Sequence, residues 1–157
     1  MKPILITIDV EECDIPLEYG FNIPLEEQLA ISREGLTHFM QIVEEANVPV
    51  TIFCTGVYAE NNPEWIKSLH PMHELASHGY FHGHFDASKD LSSSKHLLET
   101  LSHRPVTGFR MARMQYVEEI EILKAGYSYH SSLNPTWIPG RYDHRDKPTK
   151  PFFEKGL

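Results

Sequence analysis

Short β-branched apolar runs alternate with longer amphipathic stretches, and no other feature constrains this chain as much. Pro3 to Val10 is an almost continuous apolar run ended by a polar cluster, which predicts a first strand covered on both faces. From Glu26 to Ala46 the apolar positions Leu29, Leu36, Phe39, Met40 and Val43 recur at helical spacing, and Asn47 and Pro49 close the pattern. A second run, PVTIFC over 49–54, is broken by Gly56 ahead of a helical segment from Pro63 to Leu69. His73 to Ser77 reads as a third strand, and Ser92 to Ser102 as a helix with Leu97, Leu98 and Leu101 on one face. A short strand at Val106 to Phe109, a helix at Val117 to Ala125 stopped by Gly126, and a fifth strand at Tyr127 to Ser131 follow. Such alternation predicts an α/β fold on a parallel sheet, open or closed into a barrel. Residues 135–157 hold four prolines and no period, and read as a loop or tail.

The 157 residues suffice for one domain with a real core, so a single domain over 1–157 is expected. The 22 acidic residues against 14 basic ones give a formal charge of -8, which repels phosphate backbones and anionic membrane surfaces. Nucleic acid is therefore not an expected partner. Cys13 and Cys54 form neither a CxxC pair nor a disulfide framework, and two reduced thiols are expected. The N-terminal apolar run meets Asp9 before a signal-peptide core is complete, and no stretch approaches the roughly 18 apolar residues that span a bilayer. A cytoplasmic protein with no membrane span is the expectation.

Two groups of residues carry the chemistry. Asp9 and Glu11 lie two apart at the end of the first strand, so the strand period turns both carboxylates to one face. In an α/β barrel that end of the strands is the catalytic face, although acidic residues also follow strands merely because loops are solvated. His78 and His82 lie four apart after the third strand, the spacing that sets two imidazoles on one side of a helical turn. Among ten histidines such a pair also arises by chance as polar surface. Two imidazoles and one carboxylate complete the three-ligand pattern of catalytic zinc sites, with a position left for water or substrate. A second carboxylate beside that set acts as base, for which Asp9 is better placed, and Arg110 after the fourth strand keeps it ionised and oriented. A surface arginine is the alternative at that position.

In order, ITIDVEE, TIFCTG, ELASHGYFH, PVTGFR and AGYSYHSSLNPT resemble the polysaccharide deacetylases with the NodB homology domain, carbohydrate esterase family 4, over about Ile4 to Tyr142. The resemblance implies a distorted (β/α) barrel that hydrolyses the acetamido group of an N-acetylated sugar, in a polysaccharide or a saccharide precursor, with a divalent metal, Zn²⁺ first. It implies Asp9 as catalytic base, Glu11, His78 and His82 as metal ligands, and Arg110 as the arginine that orients the base. Glu11 stands where members mostly have Asp, Gly79 replaces the hydroxyl residue between the histidines, and Met111, Ala112 and Arg113 depart from the prolines and aromatic that follow the family's arginine. His130 occupies an Asp-like place of the fourth motif, and Trp137 follows at a different spacing. An amidohydrolase of this fold acting on a cyclic amide or ureide, and a non-catalytic domain that binds metal or carbohydrate, are the other readings.

The family's last motif, a Leu-x-x-His that supplies the general acid, has no match after Arg110. Five candidate strands are also too few for a closed barrel of about 250 residues. The expectation is therefore either the N-terminal part of a longer deacetylase domain, incomplete at the C-terminus, with its open sheet edge covered by a partner copy in a homo-oligomer, or a chain descended from a truncated gene.

Overall fold

Five parallel strands lie side by side in the order in which the chain makes them: β1 (Thr7–Val10), β2 (Thr51–Cys54), β3 (Glu74–Ser77), β4 (Gly108–Phe109) and β5 (Tyr129–His130). The structure is a computed structural model and describes residues 4–140, 142–153 and 156–157. A doubly wound sheet reverses its strand order at a switch point. This sheet does not, so each right-handed crossover steps in one direction, as around the wall of a (β/α) barrel. Among the described residues the arc stops at five strands, and β1 and β5 are its edges.

The predicted helices form because their apolar stripes find the sheet. The helix α2 (Leu25–Glu45) buries Leu29, Leu36, Met40 and Val43, and Phe39 packs partly buried against the same cluster. After it come α4 (Pro63–Ser68), α5 (Ala87–Ser102) and α6 (Glu119–Lys124), near their expected positions. The start of α5 lies five residues ahead of expectation, in a polar stretch whose only large apolar residue is Leu91. Its start is held by Asp86, which accepts from the Ser88 N–H at 3.1 Å while donating its own N–H to Asp90 at 2.6 Å. Two short helices carry no periodic signal at all, α1 (Ile15–Glu18) and α3 (Gly56–Asn61). Gly56, expected only to break the second strand, is the first residue of α3, and the Thr55 hydroxyl caps that helix by accepting from the Tyr58 N–H at 3.2 Å.

Two expectations fail for physical reasons. The first strand is shorter than the apolar run, begins at Thr7 and is not covered on both faces, since Ile4 and Leu5 ahead of it are 87% and 79% exposed. As an edge strand it has a neighbour on one side alone; Pro3 lies outside the described residues. The segment after Asn134 is not devoid of structure either. It forms an antiparallel hairpin of β6 (Trp137–Ile138) and β7 (Tyr142–Asp143), too short for a period of two to register. Gly140 at φ 77° allows the reversal between them. Farther on, Pro148 and Phe152 line a cavity of about 740 Å³ together with Ile4, Ile6, Val50 and Phe53.

Candidate metal site and its surroundings

The backbone ladder continues past the strands and delivers the loops to one end of the sheet. The Thr55 N–H donates to Val10 O at 3.0 Å, His78 to Cys54 O at 2.9 Å, Arg110 to Ser77 O at 2.8 Å, and Ser131 to Phe109 O at 2.8 Å. Parallel pairing without slippage therefore sets the C-terminal ends of five strands level, where barrel enzymes carry their reacting groups.

The histidine pair is not on a helical turn, contrary to the expectation from its spacing. Residues 78–82 form an irregular loop in which Gly79 takes φ 83°. The carbonyls of Gly79 and Tyr80 accept from the first N–H groups of α3, Gly56 and Val57, both at 2.9 Å. These otherwise unpaired helix donors pin the loop. The two imidazoles end up stacked, with centroids 5.9 Å apart and planes 27° from parallel.

Each histidine has one nitrogen committed. The Nδ1 of His78 donates to the Arg110 carbonyl at 2.9 Å, and the Nδ1 of His82 donates to Asp14 Oδ1 at 2.7 Å. A carbonyl and a carboxylate only accept, so both protons sit on Nδ1 and both Nε2 lone pairs face inward. They face the same atom: Glu11 Oε2 lies 3.1 Å from the Nε2 of His78 and 3.1 Å from that of His82. That oxygen is buried and receives no hydrogen bond. Three electron-rich atoms within 4.8 Å of one another repel unless a cation lies between them. A set of two imidazole nitrogens and one carboxylate oxygen fits a divalent ion.

Beside this cluster Asp9 places Oδ2 3.9 Å from the Nε2 of His78, while its Oδ1 accepts from Arg110 Nη1 at 2.6 Å. The guanidinium also donates to Thr7 Oγ1 at 2.9 Å, Ser131 Oγ at 3.0 Å and Ser131 O at 3.3 Å, and its carbon sits 4.0 Å over the Phe53 ring. Arg110 is thus held from four sides and holds Asp9 in turn. The structure gathers all five expected residues, Asp9, Glu11, His78, His82 and Arg110, at one end of the sheet.

Sequence reasoning passed over the buried acids beside them. Glu12 accepts from the Thr55 hydroxyl at 2.9 Å and from the His82 N–H at 3.2 Å, and Asp14 grips the His82 ring. Both stand in the EECD run, and the available signal was an acidic cluster too dense for one ligand and one base. Burial, with the Glu12 charge added, pushes the thiol of Cys54 far above the ordinary thiol range, so it stays protonated. Trp137 is half exposed and its ring carries Arg145, which follows the hairpin, at 5.0 Å. His130 lies in β5, partly buried, and does not join the cluster.

The polysaccharide deacetylase family profile matches residues 23–130, a range that includes His78, His82 and Arg110; Asp9 and Glu11 precede it. Among solved structures, the chain is similar to a protein of Mycobacterium smegmatis put forward as a polysaccharide deacetylase, with 25% identity and a TM-score of 0.65 over 82% of this chain and 50% of that one. It also resembles the Puue allantoinase, at 18% identity and a TM-score of 0.60 over 87% of this chain and 57% of the other. A CE4 family pseudoenzyme from Bacillus anthracis superposes at 16% identity and a TM-score of 0.55, over 80% of this chain and 41% of that one. The last two likenesses bear on the fold alone. No curated protein matches the chain. The chain spans about half the length of the structures it resembles. With more than half of its residues under the family profile, this chain belongs to the polysaccharide deacetylase family, the NodB or carbohydrate esterase family 4 group.

Proposed function

We propose that this chain carries the metal-binding site of a hydrolase that removes acetyl groups from N-acetylated sugars. The observation that carries the reading is the unpaired, buried Glu11 Oε2 facing the Nε2 atoms of His78 and His82 at 3.1 Å each, with Asp9 alongside. Glu11, His78 and His82 would hold a divalent ion, Zn²⁺ first. A bound divalent ion polarises an amide carbonyl and lowers the pKa of water near it. Asp9, oriented by Arg110, is the group that accepts the proton of the attacking water. Acetate and a free amine leave.

The test is acetate release from N-acetylglucosamine oligomers by the Zn²⁺-loaded protein, run beside small cyclic amides and beside metal analysis. Acetate from the sugars, abolished by chelation and restored by Zn²⁺, is the expected result. Turnover of cyclic amides alone would transfer the same residues to a ring-opening amidohydrolase. Bound Zn²⁺ with no turnover of either would favour a metal- or carbohydrate-binding domain, a reading to which the departures at Met111, Ala112 and Arg113 lend some weight. Failure to bind any divalent ion would remove the metal reading altogether.

A further inference from the structure

We infer that Asp14 and Arg113 are positioning residues for His82, and that the loop following β4 orients both histidines through two different contacts. The inference rests on the metal-site reading given above. Asp14 is the N-cap residue of α1, a place where an aspartate ordinarily turns its carboxylate to the helix N–H groups. Here it makes no such bond. One oxygen instead accepts from His82 Nδ1 at 2.7 Å and the other from Arg113 Nη2 at 3.0 Å. Asp14 is 8% exposed, so its charge needs a partner, and Arg113 supplies one while also pairing with Glu18 at the far end of α1. The short helix α1 thereby presents two carboxylates to one guanidinium.

The backbone around Arg113 is strained to make this contact. Arg113 takes φ 58° and Met114 φ 52°, two successive non-glycine residues in the left-handed region, inside the 3-10 turn Ala112–Met114. Left-handed backbone is costly for a residue with a side chain, and strain of this kind persists only where surrounding contacts hold it. The space on the other side is kept by a glycine. A Cβ at Gly83, next to His82, would come within 3.1 Å of Asp14 Oδ2.

One loop therefore governs the cluster. The Arg110 guanidinium holds Asp9, its carbonyl holds His78 Nδ1, and Arg113, through Asp14, holds His82 Nδ1. Carboxylates in this place fix the tautomer and ring orientation of a ligating histidine, and losing them typically reduces metal affinity about 10–100-fold. Arg113 acts one bond farther out and keeps the Asp14 carboxylate aimed at the ring.

Co²⁺ alone is the probe, its affinity measured by chelator competition and its geometry by visible absorption, on the full chain checked by circular dichroism. Asp14→Ala is expected to weaken Co²⁺ binding by about 10–100-fold and Arg113→Ala by about tenfold, with an altered absorption band in each. Arg113→Lys, which keeps the charge without the fork, should recover part of the loss. Gly83→Ala should weaken binding in the same direction with every charge retained. If an alanine variant does not fold, Asp14→Asn and Arg113→Gln carry the same criterion. Wild-type affinity and an unchanged band in the Asp14 and Arg113 variants, beside a His82→Ala variant that has lost Co²⁺, would sink this inference alone. A wild-type chain that binds no Co²⁺ would overturn the metal-site reading and this inference with it.

Discussion

Asp9 lies on the first strand of the sheet and Arg110 directly follows the fourth, yet their side chains meet at 2.6 Å. The guanidinium crosses the face of Phe53 on β2 to reach β1. Such a contact needs a curved sheet, because neighbouring strands lie about 4.8 Å apart and three flat intervals exceed an arginine's reach. Barrel curvature is thus a precondition of the pairing between Asp9 and Arg110.

Substitutions should separate the ligands from the base. His78→Ala and His82→Ala are expected to abolish tight metal binding, whereas Asp9→Asn should retain the ion and lose about 10²–10⁴-fold in acetate release. Zn²⁺ titration followed by calorimetry, alongside an acetate assay, reads both. Full metal occupancy in the histidine variants would contradict the assignment.

Removing Arg110 should disturb more than one residue. Arg110→Ala frees Asp9, Thr7 and Ser131 together, and misplacing a reacting group by about 1 Å can cost about 10²-fold in rate. Its carbonyl bond to His78 is made by the backbone and survives, so metal affinity should fall much less than kcat. Equal losses in the two measurements would place Arg110 among the groups that shape the ion site.

Gly79 should not tolerate a side chain, and the reason is conformational. At φ 83° it permits the loop that turns His78 and His82 together, while the nearest atom to an added Cβ is 3.8 Å away. Gly79→Ala is therefore expected to cost about 1–2 kcal/mol through backbone strain. Thermal unfolding with and without Zn²⁺ tests this, and an unaltered melting temperature would argue that the loop has another accessible path.

Acid should weaken the fold through His73. This buried imidazole accepts from the Val50 N–H at 3.3 Å, and burial holds its pKa below the ordinary 6.5, assisted by His70 and Arg104 and opposed by Glu44. The folded state therefore favours the neutral ring, while the unfolded chain takes up a proton near pH 6.5. The stability contribution is present above that pH and is lost as pH falls toward the folded value. Melting temperatures in that window should decline less steeply in His73→Gln than in the wild type. Parallel slopes would assign the acid sensitivity elsewhere.

Much was legible from residue order alone. The helix α2 and the cores of the strands follow from an apolar stripe and from β-branched runs, which state which face will be buried, and α4 follows from the proline at its start. The five residues of the candidate site could be named because each stands at the end of a strand, next to a turn, with a chemistry that few other residues share. Length limited the rest: α1, α3 and the hairpin of β6 and β7 are too brief to show a period.

The tertiary structure decided which atoms meet. Spacing suggested a helical turn for His78 and His82, but their rings converge because α3 grips the loop between them by its backbone N–H groups. Glu12 and Asp14 drew no role from the sequence, and Arg113 stood there only as a departure from the residues that follow the family's arginine. Only folding brings Arg113 to Asp14, 99 residues apart, and Asp14 to His82, 68 residues apart. Local sequence determines side-chain type and strand or helix bias, because both follow from neighbours along the chain. Contacts between loops depend on strand order, curvature and burial, which exist only once the sheet has formed around its core.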